Sequence, residues 1–230
     1  MANEKTRKED VQQFVEWDVI NWGKAIRFWE DKINFNSGDK CLELGCNSGG
    51  LSLWLGLKGM HVVCSDLEDP QANAERLHSK HKSLTISYEA INALDIPYEN
   101  EFDLIVFKSV LGGASRGGNQ ENKQLVIDQI YKALKPGGKL LFAENLTASW
   151  LHRFFRKQFV KWGNDWNYLQ LPELNGLLKK FSSSNYKTAG FFGAFGRSEK
   201  QRQLLGRVDR FTEKLFPKNQ HYLVFGIAKK

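Results

Sequence analysis

The chain has 230 residues, of which 41% are hydrophobic and 26% are charged, and its formal net charge is +7. These values suit one α/β domain with a sizeable core and exclude a disordered chain. The positive charge favours anionic partners, although an ordinary basic surface has the same charge.

The first ten residues are polar and lack the apolar core of a signal peptide. No apolar run approaches the ~20 residues that a membrane-spanning helix needs. Cys41, Cys46 and Cys64 lie in apolar, strand-like segments, without the spacing of a metal site or a disulfide framework. We therefore expect reduced core thiols, no metal and a cytoplasmic protein.

Helical and strand-like patterns alternate along the chain, which predicts a parallel sheet covered on both faces. A helical lead at about 9–36 carries aromatic and aliphatic residues at helical spacing and predicts one or two helices. The next segments predict, in chain order, strands at 40–44, 61–65, 84–88 and 102–107, a helix at 120–134 and a strand at 139–143.

The remainder of the chain is less regular but not linker-like. It predicts helices at 149–162 and 172–181, a strand at 188–195, a helix at 198–216 and a last strand at 222–228. We interpret residues 1–230 as a single domain in which a basic aromatic cap or lid, about 147–182, faces the substrate.

The most informative segment is an apolar strand that breaks into a glycine-rich turn and opens an apolar helix at residues 41–55. Such a shape directs backbone N–H groups and a helix N-terminus at a ligand. The spacing Glu43-x-Gly45-x-Asn47-x-Gly49 resembles the first motif of class I S-adenosylmethionine (SAM) methyltransferases. Asn47 stands where that family commonly has Gly, and Asn tolerates the positive φ of such a turn.

Two further segments follow in the order and spacing of the same family. Asp66 ends the second strand, where a carboxylate can accept hydrogen bonds from both hydroxyls of a ribose; the alternative, a helix N-cap, suits Asp69 better. Asn92 and Ala93 stand where the family has Asp-Ala before the fourth strand. An Asn carbonyl can accept the adenine amino group's hydrogen bond without a charge, and Asp95 is a fallback acceptor.

The turn at 135–138 resembles the family's turn before strand five, so the resemblance covers about 40–144, nearly half of the chain. It implies a three-layer, doubly wound, Rossmann-like α/β sheet of seven strands, mostly parallel with an antiparallel last strand. It also implies SAM as cofactor and S-adenosylhomocysteine as product, bound across the carboxyl ends of the first strands. The residues that the family motifs put around SAM are Glu43, Gly45, Asn47, Gly49, Asp66, Leu67, Asn92, Ala93 and Lys108.

Methyl transfer from a sulfonium needs mainly alignment and a dry site, and a general base only where the acceptor must lose a proton. Lys108, just past strand four, could bind an anionic acceptor or act as a base, or its ammonium could simply reach solvent. Glu144 and Asn145, just past strand five, are a second pair, or they cap the strand end. His152 is the only histidine of the predicted substrate-facing segment, about 147–182, so it is the expected base, with a helix-surface role as the alternative.

The chain lacks the signatures of two nucleic-acid methyltransferase classes. No Asn/Asp-Pro-Pro-aromatic motif follows strand four, and no cysteine lies beyond Cys64 to serve as the nucleophile of a cytosine-C5 enzyme. We therefore predict a small-molecule, saccharide, lipid-like or lipid-linked acceptor, and no nucleic acid.

The predicted helix at 149–162 carries aromatic side chains on one side and His152, Arg153, Arg156 and Lys157 on the other. Amphipathic helices usually turn their apolar face to the core, so we expect the aromatic side to pack on the sheet. The alternative is an interfacial helix, Trp150–Trp162, that contacts anionic lipid as a peripheral membrane element.

Two other functions stay open at this point. The glycine-rich turn and Asp66 fit an NAD(P)-dependent oxidoreductase loosely, although that reading leaves the later motifs unexplained. A non-catalytic SAM-binding or membrane-docking module is the second alternative, supported by Asn47 and Asn92.

Overall fold

The structure, a computed structural model, describes residues 6–7, 10–159 and 165–230. Its helices and strands alternate as the sequence patterns predict. They are α1 (Val11–Val15), α2 (Val19–Lys32), β1 (Lys40–Leu44), α3 (Gly50–Leu57), β2 (His61–Asp66), α4 (Pro70–His78), β3 (Thr85–Ala90), β4 (Phe102–Lys108), α5 (Leu111–Ala114), α6 (Glu121–Ala133), β5 (Leu134–Asn145), α7 (Trp150–Phe159), α8 (Leu171–Leu177), β6 (Ser183–Ala189), α9 (Glu199–Thr212) and β7 (Leu223–Lys229).

The seven strands form one sheet in the order β3-β2-β1-β4-β5-β7-β6. Neighbouring strands from β3 to β5 pair in parallel, and β7 pairs antiparallel with both β5 and β6. The chain order reverses between β1 and β4, which opens a crevice at the carboxyl ends of these strands. The predicted fold class is confirmed.

Strand residues alternate between two apolar layers. Cys41 of β1 and Leu104 of β4 pack on the side of α1, α2 and α3, whereas Leu42 and Ile105 pack on the side of α6 and α8. All four are at most 4% exposed. A strand buried on both faces is necessarily an apolar run, which is why β1 and β4 are recognisable in the sequence.

The predicted strand at 188–195 is wrong except at Thr188 and Ala189, because β6 spans Ser183–Ala189 and a 3-10 turn follows at Gly193–Phe195. The backbone N–H groups of Phe191, Phe192 and Gly193 donate to the carboxylate of Asp209, which is fully buried on α9. The carboxylate of Asp209, which is distant in sequence, therefore accepts the N–H hydrogen bonds that a neighbouring strand would otherwise accept.

The expected orientation of α7 is also wrong. Trp150 is 69% exposed and Phe154 is 53% exposed, whereas His152 is only 1% exposed. His152 and Arg156 thus face the protein, while Trp150 and Phe154 point outward. Arg153 and Lys157 are also exposed, contrary to the expectation that they lie on the side opposite the aromatic residues. Residues 160–162, at the end of the predicted helix, lie outside the described residues. None of the helices within the described ranges has both the length and the apolarity that crossing a membrane requires.

Candidate functional site

A cavity of about 260 Å³ lies at the carboxyl ends of β1, β4 and β5. Its walls come from the glycine-rich loop after β1, from the strand ends, from the α1–α2 connection and from one residue that precedes α8. The lining residues are Phe14, Glu16, Trp17, Glu43, Gly45, Cys46, Asn47, Gly50, Lys108, Ser109, Asn145 and Trp166.

Every second residue of the glycine-rich loop has a left-handed backbone: Gly45 (φ 64°), Asn47 (φ 49°) and Gly49 (φ 77°). Asn47 therefore adopts the positive φ that the sequence analysis expected it to tolerate. A Cβ on Gly49 would lie 2.6 Å from Ala74, and a Cβ on Gly50 would lie 2.4 Å from the Phe14 carbonyl oxygen. The loop needs glycine there because α4 and α1 pack directly against its backbone.

Glu43 lies one residue before the end of β1 and is only 3% exposed. One oxygen, Oε2, accepts both the Ser52 N–H (2.8 Å) and the Ser52 hydroxyl (2.5 Å), which joins the strand to the first turn of α3. Burial raises the pKa of Glu43 to about 7, against the lowering effect of these hydrogen bonds. The carboxyl group is thus poised between its two protonation states near neutral pH.

Asp66 stands at the carboxyl end of β2, beside the loop. Its Oδ2 accepts the Asn47 N–H at 2.9 Å and its Oδ1 accepts the Leu67 N–H at 2.8 Å. Asp69, by contrast, caps α4 by accepting the Ala72 N–H at 3.1 Å. The division of roles predicted between the two aspartates agrees with these contacts, while the ribose contact of Asp66 stays a prediction.

Asn92 and Ala93 follow β3 at the same edge of the sheet. The preceding Ile91 N–H donates to the Asp66 carbonyl at 2.8 Å, which brings the pair next to the end of β2. The Asn92 Oδ1 accepts the Leu94 N–H at 3.0 Å, so the side chain folds over its own turn. Asn92 and Leu67 are exposed, and the adenine-side assignment stays a prediction.

The α1–α2 connection supplies a carboxylate that the sequence did not indicate. Glu16 accepts hydrogen bonds from the Asn47 amide at 2.8 Å and from the backbone and hydroxyl of Ser48. Burial acts to raise its pKa, but Lys108 and these hydrogen bonds outweigh burial and lower it. The aromatic spacing of the lead predicted helices correctly, yet nothing in it showed that the break between them lies on the loop.

Lys108 lies at the cavity, as predicted, but its ammonium is already engaged. The Nζ donates to the Val15 carbonyl at 3.1 Å and lies 3.7 Å from the nearer oxygen of Glu16. It also lies 5.6 Å and 5.4 Å from the ring centroids of Trp17 and Trp22. Burial lowers the pKa of Lys108 despite nearby carboxylates. The lead covers most of the Lys108 side chain, which is 14% exposed.

Glu144 and Asn145 have different surroundings. Glu144 is fully buried and accepts the Leu111 N–H (2.8 Å) and the Asn145 N–H (2.9 Å), so it holds the start of α5, while its catalytic role stays a prediction. Burial raises its pKa to about 7. The Asn145 amide instead donates to the Ser109 hydroxyl at 2.8 Å, and both of these side chains line the cavity.

His152 is not placed to act as the base. Its Nδ1 is 2.7 Å from the Ser149 hydroxyl and its Nε2 is 2.8 Å from the Phe191 carbonyl oxygen, so the ring donates through Nε2 and accepts through Nδ1. Burial lowers its pKa to about 4, so the ring is neutral at pH 7. The expectation of a catalytic His152 is corrected to a structural role that ties α7 to the 190–195 segment.

A comparison with protein families finds one match in this region of the chain. The family model described as "Methyltransferase domain" matches residues 42–142, from within β1 to within β5. The match thus contains the glycine-rich loop, Asp66 and the ends of β3 and β4.

Two curated relatives show the same relationship over a longer stretch. A ubiquinone/menaquinone biosynthesis C-methyltransferase from Shewanella frigidimarina is 29% identical over 178 residues, which are 73% of this chain and 65% of the relative. A ubiquinone biosynthesis O-methyltransferase from Pseudomonas syringae is 24% identical over 188 residues, covering 70% of this chain and 77% of that protein. The chain spans about two thirds of the first relative's length.

Solved structures share the fold at low sequence identity. Phosphoethanolamine N-methyltransferase 2 of Haemonchus contortus, in complex with SAM, aligns with a TM-score of 0.64 at 16% identity and covers 99% of this chain and 57% of its own. A SAM-dependent methyltransferase from Methanosarcina mazei aligns with a TM-score of 0.58 at 18% identity. The alignment covers 85% of this chain and 93% of that protein's chain.

Proposed function

We propose that this chain, which carries a class I SAM-dependent methyltransferase domain, transfers a methyl group from SAM to a small, lipid-like acceptor. The observation that carries the proposal is the convergence at one crevice of the loop 45–50, Asp66 and a cavity bounded by the ends of β4 and β5. Open α/β sheets bind their ligands at this position.

The residues around the crevice fit the cofactor. The loop has glycine at two of its left-handed positions, Gly45 and Gly49, where a Cβ would collide with neighbouring atoms. Because no side chain covers the backbone there, a ligand can approach the N–H groups of the loop closely. Glu43 uses Oε2 for both of its hydrogen bonds to Ser52 and lines the cavity, which suits the ammonium of an amino acid. The Asp66 carboxylate stands one strand away, which suits a ribose.

SAM, when bound, supplies a methyl group already activated by its sulfonium, so the protein has to align the partners and exclude water. Trp17 and Trp166 contribute apolar walls to the cavity. The bond from Lys108 to the Val15 carbonyl holds the α1–α2 connection over the loop, which keeps one side of the cavity covered. Ser109 and Asn145 provide the polar groups on the acceptor side.

The aromatic walls favour a flat or apolar acceptor over a highly charged one. The names of two relatives, both methyltransferases of ubiquinone biosynthesis, support an acceptor of this lipid-like class. The Lys108 ammonium offers one anionic group a partner, although Glu16 already offsets part of its charge. We propose an acceptor that combines a ring or apolar chain with at most one anionic group.

The cofactor is tested by calorimetric titration of the chain with SAM, S-adenosylhomocysteine and NADH. We expect binding of the two adenosyl compounds at micromolar strength and none of NADH. A Gly49→Val variant is the matched negative control, because its side chain would collide with Ala74 at a left-handed position. Binding of NADH in preference to SAM would replace the proposal with an oxidoreductase.

The transfer itself is tested by incubating the chain with isotope-labelled SAM and a lipid and small-molecule extract, followed by mass spectrometry. We expect a labelled product in the apolar fraction. Tight SAM binding without any labelled product would favour a non-catalytic module, and a label confined to nucleic acid or to polar saccharides would contradict the lipid-like acceptor.

A further inference from the structure

Helix α7 faces solvent with an aromatic side, whereas an ordinary surface helix faces solvent with its polar side. Its outward side carries Trp150, which is 69% exposed, and Phe154, which is 53% exposed, with the Phe155 ring centroid 5.8 Å from that of Phe154. Surface helices normally bury such a stripe, because exposed apolar area is unfavourable in water. A contiguous exposed aromatic patch of this kind marks an interaction surface.

Hydrogen bonds on the inward side of α7 prevent the helix from rotating about its axis to bury its aromatic residues. The Arg156 guanidinium donates to the carbonyl oxygens of Leu146 (2.9 Å) and Thr147 (3.0 Å) and stacks 3.9 Å from the Tyr168 ring centroid. One turn earlier, His152 is fixed by Ser149 and by the Phe191 carbonyl. Two polar anchors spaced i, i+4 therefore hold the aromatic side toward solvent.

The exposed side also carries positive charge. Arg153 and Lys157 are exposed on α7, and the Arg197 guanidinium lies 4.5 Å from the Phe159 ring centroid. The sequence contains no Asp or Glu from residue 145 to residue 164. Cations interleaved with aromatic rings, without acids, are complementary to an anionic surface that has an apolar interior.

The segment next to α7 has a similar composition. The Phe195 ring, in the 3-10 turn, packs against Phe155 with a centroid distance of 5.2 Å, and α9 contacts the same turn. Helix α9 exposes Leu204 and Phe211 at 62% and 83%, with the exposed Arg207 between them in the sequence. An apolar and basic exterior thus recurs on the second helix that meets this turn.

We propose that α7 docks the protein on the surface of an anionic lipid bilayer, lying in the interface with its aromatic side among the acyl chains and Arg153 and Lys157 among the headgroups. A protein partner is the less favoured occupant, because protein interfaces deplete lysine and this helix presents a ridge rather than a groove. Trp and Phe between cations are typical of helices that lie in the bilayer interface.

The docking surface also lies close to the cavity along the chain. Asn145, which lines the cavity, precedes α7 by five residues, and Trp166 lines it seven residues after Phe159. Docking through α7 would bring the acceptor side of the cavity to the bilayer surface. Only this link to a lipid-like acceptor rests on the proposed function; the membrane contact itself does not.

The test is sedimentation of the full chain with phosphatidylcholine vesicles that either contain or lack phosphatidylglycerol. We expect binding to the anionic vesicles and weak binding to the neutral ones. The double variant Arg153→Gln with Lys157→Gln should reduce binding about 25-fold, since each cation near the surface contributes about fivefold. The double variant Trp150→Ser with Phe154→Ser should reduce binding roughly tenfold or more, because it removes the apolar side chains that enter the bilayer.

Matched controls use exposed residues of the same types elsewhere. Leu57→Ser removes an exposed apolar side chain from α3, and Lys80→Gln with Lys82→Gln removes two exposed cations near α4. These variants should bind the anionic vesicles as the parent does. Circular dichroism of every variant verifies folding, and SAM affinity, measured separately, distinguishes a failure of the docking proposal from a failure of the proposed function.

Three outcomes overturn the proposal. The first is parent-like vesicle binding by both α7 double variants when both are folded, and the second is no binding of the parent to anionic vesicles. The third is a concentration-dependent dimer in analytical ultracentrifugation that the Trp150→Ser, Phe154→Ser variant abolishes, because a second copy would then cover α7.

Discussion

Asp66 joins the end of β2 to the glycine-rich loop. Its two oxygens accept the N–H groups of Asn47 and Leu67, which orients the carboxylate at the carboxyl edge of the sheet. Asp66→Ala should weaken SAM binding by about 10- to 100-fold, since hydrogen bonds to a charged group contribute ~1.5–3 kcal/mol. Calorimetry measures the loss.

Asp69→Ala is the matched control for that prediction. It removes the N-cap of α4, which should cost about 1 kcal/mol of stability and leave SAM affinity unchanged. If Asp66→Ala bound SAM as tightly as the parent, the ribose assignment would be removed.

His152 shows how burial decides the role of a titratable residue. Both ring nitrogens are hydrogen-bonded and burial lowers the pKa to about 4. His152→Gln should lower the free energy of unfolding by ~1–3 kcal/mol, because buried polar partners lose hydrogen bonds. The pH dependence of kcat should stay the same, and the loss of an acid limb from the parent's profile would restore His152 as a base.

Among the secondary-structure elements, α8 and the end of β6 contain glycines with opposite constraints. Gly176 lies inside α8, has no positive φ, and an added Cβ would meet nothing within 4 Å. Gly190 ends β6 at φ 76°, and an added Cβ would lie 2.4 Å from Tyr222. Glycine is thus replaceable at the first position and required at the second.

Gly176→Ala should raise the free energy of unfolding by about 0.5–1 kcal/mol, whereas Gly190→Ala should lower it by more than about 1 kcal/mol. Urea unfolding of the two variants gives both values. Equal effects of the two substitutions would show that backbone strain at the end of β6 does not matter for stability.

The whole molecule is held together across its two ends by a buried polar cluster. Asp18, from the lead, accepts hydrogen bonds from Tyr222 and Asn21, and Asn21 also donates to Asp209 of α9 at 3.0 Å. Glu199 accepts the Asp18 N–H at 2.8 Å. The lead and the last third of the chain are therefore one folded unit with the sheet.

This cluster makes stability depend on pH. Burial raises the pKa of Asp18 from 3.8 to about 7, against the effect of the Tyr222 and Asn21 hydrogen bonds. Between these pH values the folded state keeps a proton that the unfolded state has lost, so the contribution of Asp18 to stability falls as pH rises.

Asp18→Asn removes that contribution. The stability of the variant relative to the parent should therefore increase as pH rises from about 4 to about 7, by up to ~1.4 kcal/mol per pH unit, and stay constant above. Urea unfolding at several pH values measures the difference. A difference that does not change with pH would contradict the raised pKa.

Local pattern was sufficient for most of the fold. Strands β1, β2 and β4 and the loop after β1 follow from apolar runs and from the few residues that tolerate a positive φ, which are properties of short segments. The glycine-rich loop, with Gly45 and Asn47, is recognisable in the sequence because these residue types tolerate a positive φ.

The sequence by itself thus determined the α/β class, the loop and the family resemblance. Only the tertiary structure decided that Glu16 lies on the loop, that His152 is buried and that the aromatic side of α7 faces outward. Helical periodicity defines two sides of a helix but not which one is inside. For α7, hydrogen bonds to the Leu146 and Phe191 carbonyl groups determine which side faces the protein. These partners lie outside the helix, so the sequence of the helix alone does not specify them.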